Sequence, residues 1–383
     1  MARALYIHWP FCLKKCPYCD FNSHVRDGVD HDIWQSALIA DMDYEAELAA
    51  GEELTSIFFG GGTPSLMPPA LVAQLIDHAE RKWGFAPDIE ITLEANPSSV
   101  EAANFADLAA AGVNRVSLGL QSLNDERLKF LGRLHTVEES LKALDIAQRS
   151  FGRVSCDLIY AQPGQTEQQW RDELTRAIGF GTDHLSLYQL TIEPNTRFAT
   201  DVRRGVFAPL DDDPSADLFE ITRERTEAAG LPAYEVSNHA KPGQESRHNL
   251  TYWRYQDYIG IGPGAHGRRD GTATLRHKKP ENWTDAVTAK GHGIREDSPL
   301  KRAEQASEAL LMGLRLAEGI NPKELGERFG FQIDEMIDSS RLKLLQDLGL
   351  VWAQGNRIGV TSRGMPVLDG MLGELVNIEL VTA

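Results

Sequence analysis

The chain has 383 residues, 42% hydrophobic and 25% charged, enough for a sizeable core arranged as two or three domains or as one barrel with an appendage. A formal net charge of −17 argues against nucleic acid as a partner, since such footprints are basic. No uninterrupted apolar run approaches the ~18 residues of a membrane span. The opening residues read as a strand, not a secretory leader, so a cytoplasmic, reducing location is expected.

Strand patterns fall at 5–8, 56–59, 89–93, 115–118, 154–159 and 184–188. Segments of helical period separate them, at 31–49, 69–83, 100–111, 137–150, 167–179 and 214–229. Six strand-then-helix units in series imply an α/β fold with a parallel sheet and right-handed crossovers. Each strand runs into a polar or glycine-rich stretch, such as Gly60-Gly61-Gly62-Thr63-Pro64 and Glu94-Ala95-Asn96-Pro97. Ligand groups collect at the carboxyl ends of such strands. A break follows at Pro209–Pro214, where acidic residues also suit the first turn of a helix. The stretch 240–300, rich in Gly, Pro, His and Trp, is expected to hold functional loops and not core. Beyond 301, Leu310, Leu311 and Leu314 share one helical face. Met336, Ile337, Leu344, Leu345 and Leu348 mark another, ended by Gly349. Gln354-Gly355-Asn356 between two short apolar runs signals a hairpin, giving a winged-helix-like unit. The expected divisions are 1–235, a barrel; 236–300, an aromatic and glycine-rich region; and 301–383, the C-terminal unit.

The sharpest local signal is Cys12-Leu13-Lys14-Lys15-Cys16-Pro17-Tyr18-Cys19, a C-x3-C-x2-C run directly after the first strand. A four-iron cluster ordinarily takes four cysteines. Three leave one iron open, and an open position admits a small-molecule ligand. The alternative is a structural zinc held by these cysteines with His8 or His24, but zinc knuckles usually pair C-x2-C units. The fourth cysteine, Cys156, falls inside a strand pattern and reads as a buried filler.

Together with Tyr6-Ile7-His8-Trp9-Pro10-Phe11 before it and Phe59-Gly60-Gly61-Gly62-Thr63-Pro64-Ser65 after it, this run resembles the radical S-adenosylmethionine (SAM) superfamily. More narrowly, it resembles the oxygen-independent coproporphyrinogen oxidase family and its HemW-type heme-chaperone branch. The resemblance covers nearly the whole chain. It implies a partial (β/α)6 barrel, a [4Fe–4S] cluster on Cys12, Cys16 and Cys19, and S-adenosylmethionine on the open iron. One electron from the reduced cluster would then cleave the cofactor's carbon–sulfur bond to give a 5′-deoxyadenosyl radical.

By the same resemblance, Gly61, Gly62, Thr63 and Glu94 match contacts to the cofactor. Gln121, Arg133 and Asp157 match contacts to a second S-adenosylmethionine. Tyr6 and Tyr18 match positions beside the cluster, and His266 a further cofactor contact. Two departures separate the chain from the oxidases. Phe21 follows Cys19-Asp20 where they carry another cysteine, and only five residues precede Tyr6 where they carry an extension. His248-Asn249-Leu250-Thr251-Tyr252-Trp253 has the H-N-x-x-Y-W form associated in the HemW branch with heme, His248 as axial ligand and Tyr252 and Trp253 stacking on the macrocycle. The function so implied is a heme chaperone without coproporphyrinogen oxidase activity, the alternative being that oxidase. Its partners would be heme, acceptor apo-hemoproteins including membrane-associated ones, an electron donor and, as a homodimer, a second copy.

Overall fold

The computed structural model describes residues 4–377 apart from positions 27, 50 and 52. Residues 1–3 of the opening segment therefore lie outside the described residues. The six strands expected from the sequence form the parallel centre of the fold: β1 (Ala4–Trp9), β2 (Leu54–Gly61), β3 (Phe85–Ala95), β4 (Arg115–Gln121), β5 (Arg153–Tyr160) and β6 (His184–Gln189), each hydrogen-bonded to the next. Crossover helices include α1 (His31–Leu48), α2 (Pro69–Trp83), α3 (Val137–Ser150), α4 (Glu167–Ile178) and α5 (Asp212–Ala228). Local chemistry sets their ends. Asp30 caps α1, Pro69 opens α2 and Gly84 (φ +73°) closes it. A reciprocal Thr136–Glu139 capping box starts α3. The helix expected over 100–111 is broken into Ser99–Ala102 and Phe105–Ala110.

Residues 240–300 correct the expectation of loops. After β7 (Asn238–Ala240) and α6 (Arg247–Trp253), strand β8 (Tyr258–Ile261) pairs in parallel with the outer edge of β1. Strands β9 (His266–Arg269), β10 (Thr272–Arg276) and β11 (Ile294–Pro299) continue antiparallel from it. The sheet order is β11-β10-β9-β8-β1-β2-β3-β4-β5-β6-β7. Strands β9 and β10 escaped notice because charged residues, Arg268 and Arg276, are buried on them. Arg276, fully buried, donates from Nε to Asp41 (2.6 Å) and from Nη2 to Glu45 (3.0 Å) on α1. Asp41 also accepts from the backbone of Gly262 and Gly293 and from the Trp283 indole. A buried charge needs such carboxylate partners even though one terminal nitrogen, Nη1, stays unbonded, and removing one member would strand the rest.

A second core gathers Tyr255, Leu310, Leu314, Phe329, Met336, Leu345 and Leu372. Helices Arg302–Gly313, Pro322–Phe329 and Ser339–Asp347 precede the hairpin Val351–Gln354/Arg357–Val360, which turns at Gly355 (φ +59°). The apolar face expected over 336–348 is interrupted at Asp338, whose carboxylate caps the following helix, and Leu344 and Leu348 are exposed.

Candidate functional site: the mouth of the barrel

The barrel encloses a cavity of about 500 Å³ that opens at the carboxyl ends of the strands. On β4 the alternation is plain: Arg115, Ser117, Gly119 and Gln121 line the cavity, while Val116, Leu118 and Leu120 are buried behind it. Cys12, Cys16, Cys19, Tyr18, Gly61, Gly62, Thr63, Glu94, Gln121, Arg133 and Asp157 all reach this one space.

The loop after β1 brings the three cysteines together as partly exposed free thiols. Each sulfur has a polar neighbour. Thr63 Oγ1 donates to Cys12 (3.5 Å), Arg133 Nη1 donates to Cys16 (3.5 Å), and Ser23 Oγ lies 4.0 Å from Cys19. Burial pushes the Cys12 and Cys19 thiols up, opposed by the Thr63 hydroxyl at Cys12 and by Phe21 and Ser23 at Cys19. Among the described residues, no set of three His, Cys, Asp or Glu side chains closes on a single metal ion. His8 is engaged elsewhere, its Nε2 donating to the Asn22 carbonyl and its Nδ1 accepting from Tyr6. Tyr6 thus sits behind the cavity wall as a brace for His8.

The glycine ledge is obligatory. A Cβ on Gly61 (φ +110°) would stand 2.4 Å from the His8 ring, and one on Gly62 would stand 2.6 Å from the Phe11 carbonyl oxygen. Below the ledge, Glu94 accepts from the Gly61 backbone N–H at 3.1 Å. Burial, reinforced by the Asp157 carboxylate, pushes the Glu94 carboxyl up to about 8. Burial also raises Asp157, against hydrogen bonds from Ser186, Ser117 and Ser155 and the more distant Arg115 charge. Two carboxyls held with raised affinity for protons suit a cationic or hydroxyl-rich ligand. Gln121 adopts φ +65° at the strand end, a strained backbone for a non-glycine residue of the kind that gathers at ligand sites.

The radical SAM superfamily profile matches residues 6–177, and the HemN C-terminal domain profile matches residues 300–367. Heme chaperone HemW of Escherichia coli (strain K12) is 47% identical over 270 residues, covering 69% of this chain and 70% of that protein. HemW of Bacillus subtilis (strain 168) is 33% identical over 379 residues, covering 97% of this chain and all of that one. The chain belongs to the HemW family of radical SAM proteins. Radical S-adenosyl methionine domain-containing protein 1, mitochondrial, of Bos taurus is 38% identical over 386 residues, covering 98% and 87% of the two chains. The solved structure of E. coli coproporphyrinogen III oxidase (HemN) superposes with a TM-score of 0.80 at 23% identity, over 97% of this chain and 89% of that one, a shared fold.

Membership of the radical SAM superfamily implies a [4Fe–4S] cluster and S-adenosylmethionine. The donor set fits. Three thiols share one mouth with polar neighbours at sulfur, and a side-chain-free ledge lies over two carboxyls. Bound there, the cluster and cofactor supply one-electron reductive chemistry. The chain's own residues would do the rest: Thr63 and Arg133 donate to sulfur, the ledge would admit backbone contact, and Glu94 would offer a carboxyl.

Besides Tyr6, four of the expected site residues lie elsewhere. His266 is exposed at the start of β9, in the antiparallel extension away from the cavity. The imidazole of His248 is 1% exposed and stacks on Phe58, with ring centroids 4.9 Å apart. Its Nδ1 is hydrogen-bonded to Ser56 (3.1 Å) and its Nε2 to the Tyr252 hydroxyl (2.5 Å). Burial, with the nearby Arg115 charge, pulls it down to about 3. Both ring nitrogens are thus engaged inside the protein, so an axial-ligand role would require the Ser56 or Tyr252 hydrogen bond to be given up. Tyr252 packs edge-on against Tyr258, and Trp253 ends the same helix without lining the cavity. Sequence reasoning also missed cavity residues: Arg115, Ser117, Tyr188 and Asn249. The period-two polarity of Arg115-Val116-Ser117-Leu118-Gly119-Leu120-Gln121 was the available signal for the first two.

Proposed function

We propose that this protein is a heme chaperone that uses the barrel mouth for both its cofactors and its cargo. Cys12, Cys16 and Cys19 hold the cluster. Gly61, Gly62, Thr63 and Glu94 cradle the S-adenosylmethionine on its open iron. Gln121, Arg133 and Asp157 line the space beyond. Kinship with HemW proteins supports heme as cargo.

The observation that carries this reading is the apolar rim. Leu13, Phe21 and Leu134 are 60%, 58% and 66% exposed, all at the cavity mouth. Large apolar side chains gathered in the open mark a binding surface. Lys14 and Lys15 stand exposed beside them on a chain of net charge −17. A flat apolar macrocycle with two carboxylates complements that surface, the ring on the side chains and the acids toward the lysines. Phe21 belongs to this rim at the position where the oxidase branch carries a cysteine. Delivery to an acceptor apo-hemoprotein follows from a seat that is open to a partner. No described helix is long and apolar enough to cross a membrane, so a membrane-bound acceptor would be met at the surface.

Hemin titration of the anaerobically purified protein tests the assignment. A stable Soret band is expected, weakened about tenfold by Leu134→Glu, as loss of one buried leucine-sized contact implies, and retained in His248→Ala. Loss of the band in His248→Ala with Leu134→Glu unaffected would overturn it. Formation of protoporphyrinogen from coproporphyrinogen III with reductant and S-adenosylmethionine would replace the chaperone by the oxidase.

A further inference from the structure

The closed end of the barrel holds a feature that neither cluster nor cargo explains. Arg115 opens β4 and is 2% exposed, yet it lines the cavity. Among the described residues its guanidinium makes one hydrogen bond, from Nη1 to Thr92 Oγ1 at a long 3.4 Å, and its Nε has no partner. No carboxylate of a described residue lies within ion-pair distance of it. Other inward arginines here have a carboxylate partner: buried Arg276 has Asp41 and Glu45, buried Arg268 has Glu308, and half-buried Arg153 has Glu90. A buried guanidinium left this bare is costly unless a ligand completes it.

Asn249 faces the same space from α6. Burial raises the nearby Tyr234 phenol, opposed by the Arg115 charge and the Asn249 side chain. The H-N-x-x-Y-W segment therefore closes the barrel floor. His248 is the packed half, anchored to Ser56 on β2 and to Glu90 on β3, and Asn249 is the half that looks inward. Arg115 and Gln121 are six residues apart on one strand, so this floor lies about 20 Å below the mouth. It is distinct from the rim and the cysteines.

We propose that the barrel floor is a carboxylate-binding subsite in which the Arg115 guanidinium and the Asn249 amide hold an anionic oxygen pair. The guanidinium donates from Nε and a terminal nitrogen, the fork that suits a carboxylate. Asn249 adds a neutral donor. The carboxylate belongs either to a small free acid or to the arm of a larger ligand entering from the mouth. The subsite stands whether or not heme is the cargo.

The test is thermal shift and calorimetric titration of the whole protein with sodium acetate, against acetamide as the neutral isostere, at constant ionic strength. Acetate is expected to raise Tm in a saturable way and acetamide to leave it unchanged. Asn249→Ala should weaken acetate several-fold. Arg115→Gln should weaken it about tenfold or more, as loss of a charge-assisted hydrogen bond implies, and Arg115→Lys should restore part. Hexanoate binding more tightly than acetate supports the buried arm of a larger ligand, and equal binding supports a small free acid. Equal response to acetate and acetamide would overturn the proposal. So would acetate affinity unchanged in both Asn249→Ala and a folded Arg115→Gln.

Discussion

The two ends of the barrel are built from the same strands but to opposite rules. At the mouth, polar groups are left with capacity to spare. Cys12 and Cys16 each accept a single long hydrogen bond, Glu94 takes one backbone N–H, and apolar side chains stand in the open. At the floor, His248, Ser246 and half-buried Arg153 all bond to buried Glu90, whereas Arg115 has no carboxylate partner among the described residues and its Nε has no partner. A motif's residue types therefore do not tell its role; its height along the strand does. His248, a residue type that can bind iron, is packed on Phe58 here, whereas Thr63, an ordinary hydroxyl, donates to the Cys12 sulfur.

Substitutions at the two ends should separate accordingly. Cys16→Ser should remove nearly all iron and sulfide, because a neutral alcohol is a poor ligand beside thiolates. Elemental analysis after anaerobic reconstitution checks this, and retained iron would show that the mouth does not hold the cluster. His248→Ala should instead act on stability. It deletes a ring packed on Phe58 and strands the Ser56 and Tyr252 hydroxyls, a loss of about 3 kcal/mol. Denaturant unfolding reads that loss, with hemin affinity unchanged.

Gly61→Ala should cost about 2 kcal/mol through its φ of +110° and the overlap with His8. It should also weaken S-adenosylmethionine, measured by equilibrium dialysis. A smaller effect distinguishes the carboxyls. Glu94 has a folded pKa of about 8, above its ordinary 4.5, so the folded chain holds the extra proton across that window. Stability of the cofactor-free protein should therefore fall as pH rises from 5 to 9, and Glu94→Gln should flatten that slope. Cys156→Ser, buried inside β5, should leave the cluster intact; bleaching would mean that three cysteines do not suffice.

Much of the barrel was legible because its strands are apolar runs bounded by glycine and proline, and α2 and α3 carry their start signals in Pro69 and Thr136–Glu139. The cysteine run and the glycine ledge were legible because local spacing alone dictates them. The sheet extension was hidden, since Arg276 and Arg268 occupy inward positions where a reader looks for valine, and their partners Asp41 and Glu308 are distant in sequence. The role of His248 was hidden for the same reason. Ser56 and Glu90, which take up its Nδ1 and its backbone N–H, lie more than 150 residues away.

The most direct test is electron paramagnetic resonance of the anaerobically reduced protein before and after S-adenosylmethionine is added. A cluster signal whose g-values shift on addition is the expected result, because in the proposed assignment the cofactor takes the iron that Cys12, Cys16 and Cys19 leave open. A reduced protein with no iron–sulfur signal, or one indifferent to the cofactor, would contradict it.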